Sequence, residues 1–277
     1  MDECEFQISH EGIESTFFDS QRILLGKVEF KADTFRFFKD GKISINLNDL
    51  AKILKASKSE NAITTIIFCE MELRSIKHST EISIPIKDTL RGLDLEFEEI
   101  PMENLLALKY PFMFQLRKEQ FLYILKHTDI HSEVLSIKAT PEQLRFAQSG
   151  QIGNRVIPLN KKDIEQLSFD PDLLKTKNDN NNENEDKESN EDQEDILPHE
   201  AFATFSLFFI RLISKMTTLL DSKDSLTFHL KTDHPLEVEV AFPLEHIQQG
   251  EIGQFSIRNF IACRTLDEDE LEELDEF

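Results

Sequence analysis

Residues 204–240 read TFSLFFIRLISKMTTLLDSKDSLTFHLKTDHPLEVEV. Phe209, Leu212 and Ile213 recur at helical spacing, so 206–217 is expected to form a helix with one apolar face. The polar run Asp221-Ser222-Lys223-Asp224 stops it. Residues 225–230 and 236–240 then alternate apolar with polar side chains on either side of Asp233-His234-Pro235, the pattern of an antiparallel hairpin. Helix, polar turn, strand, turn, strand describes an α+β unit whose helix covers one face of the sheet.

The same order recurs. A helix expected over 47–57, with Leu50, Ile53 and Leu54 as its stripe and Asn46 or Asn48 as its cap, leads into SKSENAITTIIFCEMEL. A helix over 118–128, with Phe121, Leu122 and Leu125, leads into VLSIKATPEQLRFAQ. Short strands are expected at 6–8, from Ile13 onward, and at 23–30, 34–39, 63–68, 71–77, 81–86, 134–138, 143–148 and 254–257. The echo implies two similar halves with antiparallel sheets and helices on one side.

Charge is unevenly spread along the 277 residues, whose formal net is −22. Residues 175–195 hold nine acids, six asparagines and no aliphatic or aromatic residue, and are expected to be a disordered insertion. Residues 267–277, DEDELEELDEF, hold eight acids and no base and are expected to be a solvated acidic tail, with Leu271, Leu274 and Phe277 as spaced apolar residues. The three helices run the other way. Lys52 and Lys55, with Lys58 just beyond, mark the first; Arg117, Lys118, Lys126 and His127 the second; Arg211 and Lys215, four apart, the third. No acid lies between Leu50 and Ser59 or between Phe202 and Leu220.

Other chemistries find little support. No apolar run reaches the roughly 18–20 residues of a membrane span, and Met1-Asp2-Glu3-Cys4-Glu5 does not resemble a secretory leader. Cys4, Cys69 and Cys263 lie far apart with no CxxC pair, which suits inert thiols in a reducing compartment rather than disulfides or zinc. His127 and His131 have metal-like spacing but no HExxH context, and no phosphate-cradling glycine motif or nucleophile elbow occurs. No metal, cofactor or catalytic residue is expected.

Several stretches together resemble the sliding clamps typified by proliferating cell nuclear antigen (PCNA) of eukaryotes and archaea. They are ISHEGIESTFFDSQRILL (8–25), INLNDLAKILKASKSENAITTI (45–66), FLYILKHTDIHSEVLSIKA (121–139), FAQSGQIGN (146–154) and the opening stretch 204–240, with LDLEFEEIP (93–101) as the linker. The resemblance covers about residues 5–165 and 196–261. It implies an α+β DNA-clamp (processivity) fold of two similar domains, with antiparallel sheets outside and helices lining a central hole. The implied division is 1–86, a connecting segment 87–110, a second clamp domain 111–266 containing the insertion, and the tail.

The implied function is a non-enzymatic subunit that encircles duplex DNA and tethers replication and repair enzymes. Implied partners are double-stranded DNA, a DNA polymerase, a clamp loader and further subunits, in a homotrimer or heterotrimer, with no membrane. The expected compartment is the nucleus of a eukaryote or the cytoplasm of an archaeon. A checkpoint-type or heteromeric clamp subunit is the alternative within the family. A β-rich interaction module that binds no DNA is the alternative outside it.

Carried over by position, Lys52, Lys55, Lys126 and Lys215 match the family's inner basic positions, and Lys58, Arg117, Lys118, His127 and Arg211 join them from helix geometry. The family's partner-peptide groove maps to Phe18, Arg22, Ile23 and Leu25, to Ile100 with Phe97 and Glu98 beside it, and to Pro235, Ser256, Ile257 and Arg258. Three departures are visible. The chain starts after the family's first strand and helix, so domain one is expected to lack them. The polar insertion sits where the family has an edge strand that pairs subunits, leaving 163–174 or Ile196-Leu197 as a poorer edge. Arg258-Asn259 stands where the family has Ala-Pro after the last strand.

Overall fold

The structure is a computed structural model and describes residues 3–31, 40–56, 63–69, 72–79, 87–91, 102–128, 132–148, 153–173, 199–244 and 253–265. The expected strands 34–39 and 81–86, the insertion 175–195 and the tail 267–277 lie outside them. The chain divides into two compact units. The first comprises Met1–Asp19, Gly26–Pro101 and Phe242–Ile257, and the second Ser20–Leu25, Met102–Ala241 and Arg258–Phe277.

In the first unit, β1 (Glu3–Ser9) and β2 (Gly12–Phe18) form a hairpin in which Ile8 faces Ile13. β1 pairs on its other side with β4 (Gly41–Asn46), so that Cys4 faces Ile45. β3 (Leu24–Lys31) lies beside β2. Gly26 of β3 is buried because the Phe17 ring lies across it; a Cβ there would meet the ring at 2.1 Å. α1 (Leu47–Ala56) follows β4 directly. Its Leu47 and Leu50 pack, as do Phe6 and Ile43 of the strands, against buried Cys4 and Ile45, which is the helix-on-sheet core that the sequence pattern requires. β5 (Ile63–Cys69), β6 (Glu72–Ser79) and β7 (Lys87–Arg91) form a separate antiparallel sheet.

The second unit opens with a single helical turn, α2 (Glu103–Leu106), and β8 (Phe112–Arg117). α3 (Lys118–His127) then precedes β9 (Val134–Ala139), β10 (Gln143–Gln148) and β11 (Arg155–Asn160). β12 (Gln166–Phe169) pairs with β8, whose other neighbour is β14 (Ser225–Leu230), itself paired with β15 (Leu236–Leu244). β13 (Ala201–Ser206) pairs with β9 and with the two-residue β17 (Cys263–Arg264), giving a sheet ordered β11-β10-β9-β13-β17.

Alternate residues of these strands point into one core. Phe112, Phe114 and Leu116 of β8, Leu226, Phe228 and Leu230 of β14, and Leu144 and Phe146 of β10 are all buried. Phe114 stacks on Phe228 at 5.1 Å and meets the edge of Phe146 at 6.4 Å, joining the two sheets, while Phe121 of α3 caps Phe228 at 5.4 Å. Asp233 takes a left-handed φ of 58° in the β14–β15 turn, a conformation aspartate tolerates.

The third expected helix is a correction. α4 keeps α-helical geometry only over Leu207–Ile213, and Ser214–Leu219 tightens to 3-10. The hydroxyls of Ser214, Thr217 and Thr218 each donate to the carbonyl three residues back, at 2.6, 2.6 and 2.8 Å, and so compete with the α-helical ladder. A second correction concerns β16 (Gly253–Ile261): Arg258 and Asn259 lie inside this strand, not after it, and Ala262-Cys263 follows.

Candidate nucleic-acid interface

Each helix that carries the expected cations is fixed at its start. The Asn46 side chain accepts from the backbone N–H of Asn48 and Asp49 at 3.0 and 3.2 Å and so caps α1. Lys52 is exposed and pairs with Asp49 at 2.8 Å, and Lys55 is exposed in the last turn, where it suits the helix dipole. Lys58 lies outside the described residues.

On α3, Phe121 and Ile124 are buried, while Lys126 points outward. Lys118 is committed elsewhere: its ammonium donates to the carbonyl of Leu220 at 2.7 Å and braces the end of the 3-10 turn. Arg117 is exposed, and its backbone N–H donates to Gln120 Oε1 at 3.1 Å. The His127 ring leans on Tyr123 at 4.2 Å, and its carbonyl accepts from Arg155.

α4 begins where the Leu207 N–H donates to the Glu133 carbonyl at 2.9 Å, and it buries Leu207, Phe209, Ile210 and Ile213. Arg211 is half-buried and donates from Nη2 to Thr128 Oγ1 at 3.1 Å, tying α4 to the end of α3. Lys215 is exposed. Among the described residues, neither Lys126 nor Lys215 pairs with an acid.

The expected partner-groove residues divide between the units. In the first unit Phe18 is half-buried, while Ser256 and Ile257 are buried, with Ser256 Oγ 3.5 Å from Glu29. In the second, Arg22 is exposed with a φ of 56°, and Ile23, Leu25 and Pro235 are half-buried. Phe97, Glu98 and Ile100 lie outside the described residues.

Arg258 has a role that sequence reading missed. Its Nε and Nη2 both lie 2.6 Å from Oε1 of Glu237, which is only 3% exposed, and its guanidinium sits 5.7 Å from the Phe260 ring centre. Burial raises the Glu237 carboxyl above its ordinary range, and Arg258 pulls it back. Burial also lowers the His229 imidazole and raises the Tyr110 phenol, whose ring lies 5.6 Å from that of His229. Donor atoms of His229, Glu237 and Glu239 all lie within 4.8 Å of one another. Arg258 already supplies the cation that the buried carboxylate needs, so the group works as a polar brace. The faint sequence signal was alternation: Glu237 and Glu239 share the face of β15 opposite buried Leu236, Val238 and Val240.

A family model described as "Proliferating cell nuclear antigen, N-terminal domain" matches residues 1–81. The chain is 24% identical over 168 residues to Proliferating cell nuclear antigen 2 of Drosophila melanogaster, covering 58% of this chain and 64% of that one. To proliferating cell nuclear antigen of Chaetomium thermophilum it is 22% identical over 164 residues, covering 57% and 62%. The matches thus span less than two thirds of either relative. The crystal structure of PCNA from Thermococcus kodakaraensis superposes with a TM-score of 0.68 at 16% identity, covering 95% of this chain and 91% of that one. Residues 1–81 thus match the proliferating cell nuclear antigen N-terminal domain, and the chain shares the fold of the PCNA structure. In this chain the helices α1, α3 and α4 carry basic residues on an otherwise acidic sequence, and the sheets are antiparallel throughout the described pairings.

Proposed function

We propose that this chain is a clamp subunit that encircles duplex DNA and holds replication and repair enzymes on it, without chemistry of its own. The observation that carries the reading is the exposure of Lys52, Lys55, Lys126 and Lys215 on three helices of a chain whose formal net charge is −22. Ammonium groups on a helix surface attract phosphates without regard to sequence, which is what a sliding surface needs. The acidic remainder repels DNA from other surfaces. The ring, the polymerase and loader partners and the compartment follow from the family resemblance and are part of the proposal.

The test is association with a short duplex, followed by fluorescence anisotropy as salt is raised. Replacing Lys52, Lys55, Lys126 and Lys215 together by Glu is expected to reduce affinity at low salt at least tenfold. It should also flatten the plot of log affinity against log salt, by about one unit for each phosphate that is no longer neutralised. An unchanged slope and affinity would replace this reading by the interaction module that binds no DNA.

A further inference from the structure

The large apolar side chains that the described residues leave exposed all lie on α3 or on α4 and its 3-10 extension. Leu122 (39%) and Tyr123 (56%) lie on α3, and Phe208 (68%) and Leu219 (51%) on α4 and its 3-10 extension. The two elements are tied together at both ends: Lys118 bonds the Leu220 carbonyl at 2.7 Å, and Arg211 bonds Thr128 at 3.1 Å. Phe208 and Arg211, three apart, are neighbours on α4, and exposed Lys215 follows on the 3-10 turn. Tyr123 and Lys126 repeat the mixture on α3. Phosphates satisfy the lysines of such a surface but leave Phe208, Tyr123 and Leu219 against a hydrated, charged backbone. The face fits an occupant that is both acidic and apolar.

The chain itself carries such a segment. Residues 267–277 place eight acids around Leu271, Leu274 and Phe277, three apolar side chains at spacings of three. Its root is close to the patch. β17 pairs Cys263 with Phe205 and Arg264 with Thr204, and β13 runs directly into α4 at Leu207. The two strands are antiparallel, so the chain leaves β17 toward the start of β13 and has to turn back over about six residue lengths, roughly 20 Å, to reach Phe208; an extended stretch from 266 to 277 spans roughly 40 Å.

We infer that residues 267–277 dock on the exposed face of α3 and α4, with Leu271, Leu274 and Phe277 against Phe208, Tyr123 and Leu219 and the acids against Lys126 and Lys215. The docked segment then covers part of the basic surface and competes with phosphates for it. That consequence rests on the DNA-binding reading above; the docking itself does not.

The experiment uses the chain lacking 267–277 and a fluorescent synthetic peptide of residues 266–277. Saturable peptide binding is expected, weakened at least about tenfold by Phe208→Ser, by Lys215→Glu and by a peptide with Ser at 271, 274 and 277. Phe208 is exposed, so its replacement leaves the fold intact. The full-length chain should bind the added peptide more weakly than the shortened one, because its own segment holds the face.

Duplex DNA gives the second readout. In the full chain, Leu271, Leu274 and Phe277 replaced together by Ser should raise duplex affinity at low salt several-fold with every acid retained, which separates docking from a general change of charge. Absence of peptide binding, with duplex binding intact, overturns docking and leaves the DNA reading standing. Peptide binding without any duplex binding upholds docking and overturns the DNA reading. If the peptide does not bind and Phe208→Ser abolishes a concentration-dependent rise in mass, the occupant is a second copy of the chain and the inference fails.

Discussion

A buried carboxylate with one cation beside it makes a sensitive point in the second unit. Glu237 is 3% exposed, and two nitrogens of Arg258 reach the same oxygen at 2.6 Å. Replacing Arg258 by Ala leaves that charge alone, and should cost about 3–5 kcal/mol in urea unfolding, whereas a paired replacement of both residues by Met should cost far less. The pH dependence has a defined sign. The folded-state pKa of Glu237 is raised above 4.5 mainly by burial, and losing Arg258 raises it further. A raised carboxyl favours the folded state below the unfolded value and loses that contribution as pH climbs through the folded value. The Arg258→Ala variant should therefore fall further below Arg258→Ala/Glu237→Gln in stability as pH is raised from about 4.5 toward neutrality. A constant gap would mean that Glu237 does not titrate in that window. Cys4 shows the simpler case: burial pushes its thiol up to about 11, which keeps it protonated and inert at neutral pH.

At the scale of elements, what was legible followed periodicity and what was missed followed long-range partners. α1 and α3 lie over the residues expected for them, but on α3 the buried pair is Phe121 and Ile124 while Leu122 of the expected stripe is exposed, and Asn46 rather than Asn48 caps α1. Asn46→Ala should lower stability by about 1 kcal/mol and Asn46→Asp should not, since only the first loses the side-chain acceptor; thermal unfolding of the two variants side by side checks this. β8 was not expected, because FMFQLR opens on three apolar residues in a row and hides the alternation of Phe112, Phe114 and Leu116. β11 contains Pro158, which argues against a strand from sequence alone, yet it lies at the edge of its sheet, where a missing donor is tolerated. Lys118 reads as one more surface cation until the fold brings Leu220 to it from 102 residues away. The Arg258–Glu237 tie is hidden for the same reason, since neither residue announces the other across a strand pairing. The 3-10 ending of α4 was within reach, because Ser214, Thr217 and Thr218 are the residue types that bond back to the helix.

For the whole molecule the governing quantity is charge, and it acts in opposite directions on the two associations proposed for it. Binding to duplex DNA releases counterions and weakens as salt rises. Self-assembly brings together chains that each carry a formal −22, so salt should strengthen it by screening. The five-stranded sheet of the second unit ends at β11 on one side and at the two-residue β17 on the other. An edge strand has backbone groups available for another chain, and Pro158 in β11 removes one donor from it, so any pairing there is weakened but not forbidden. Light scattering over a range of concentrations is expected to give masses rising toward three times 32.2 kDa, and to reach that value at lower concentration in about 0.5 M salt than in 0.05 M. A mass that stays at 32.2 kDa under every condition would exclude a ring of identical subunits. A ring completed by different clamp subunits would then be the only closed form left, and the duplex-binding measurement would have to be repeated with those subunits present.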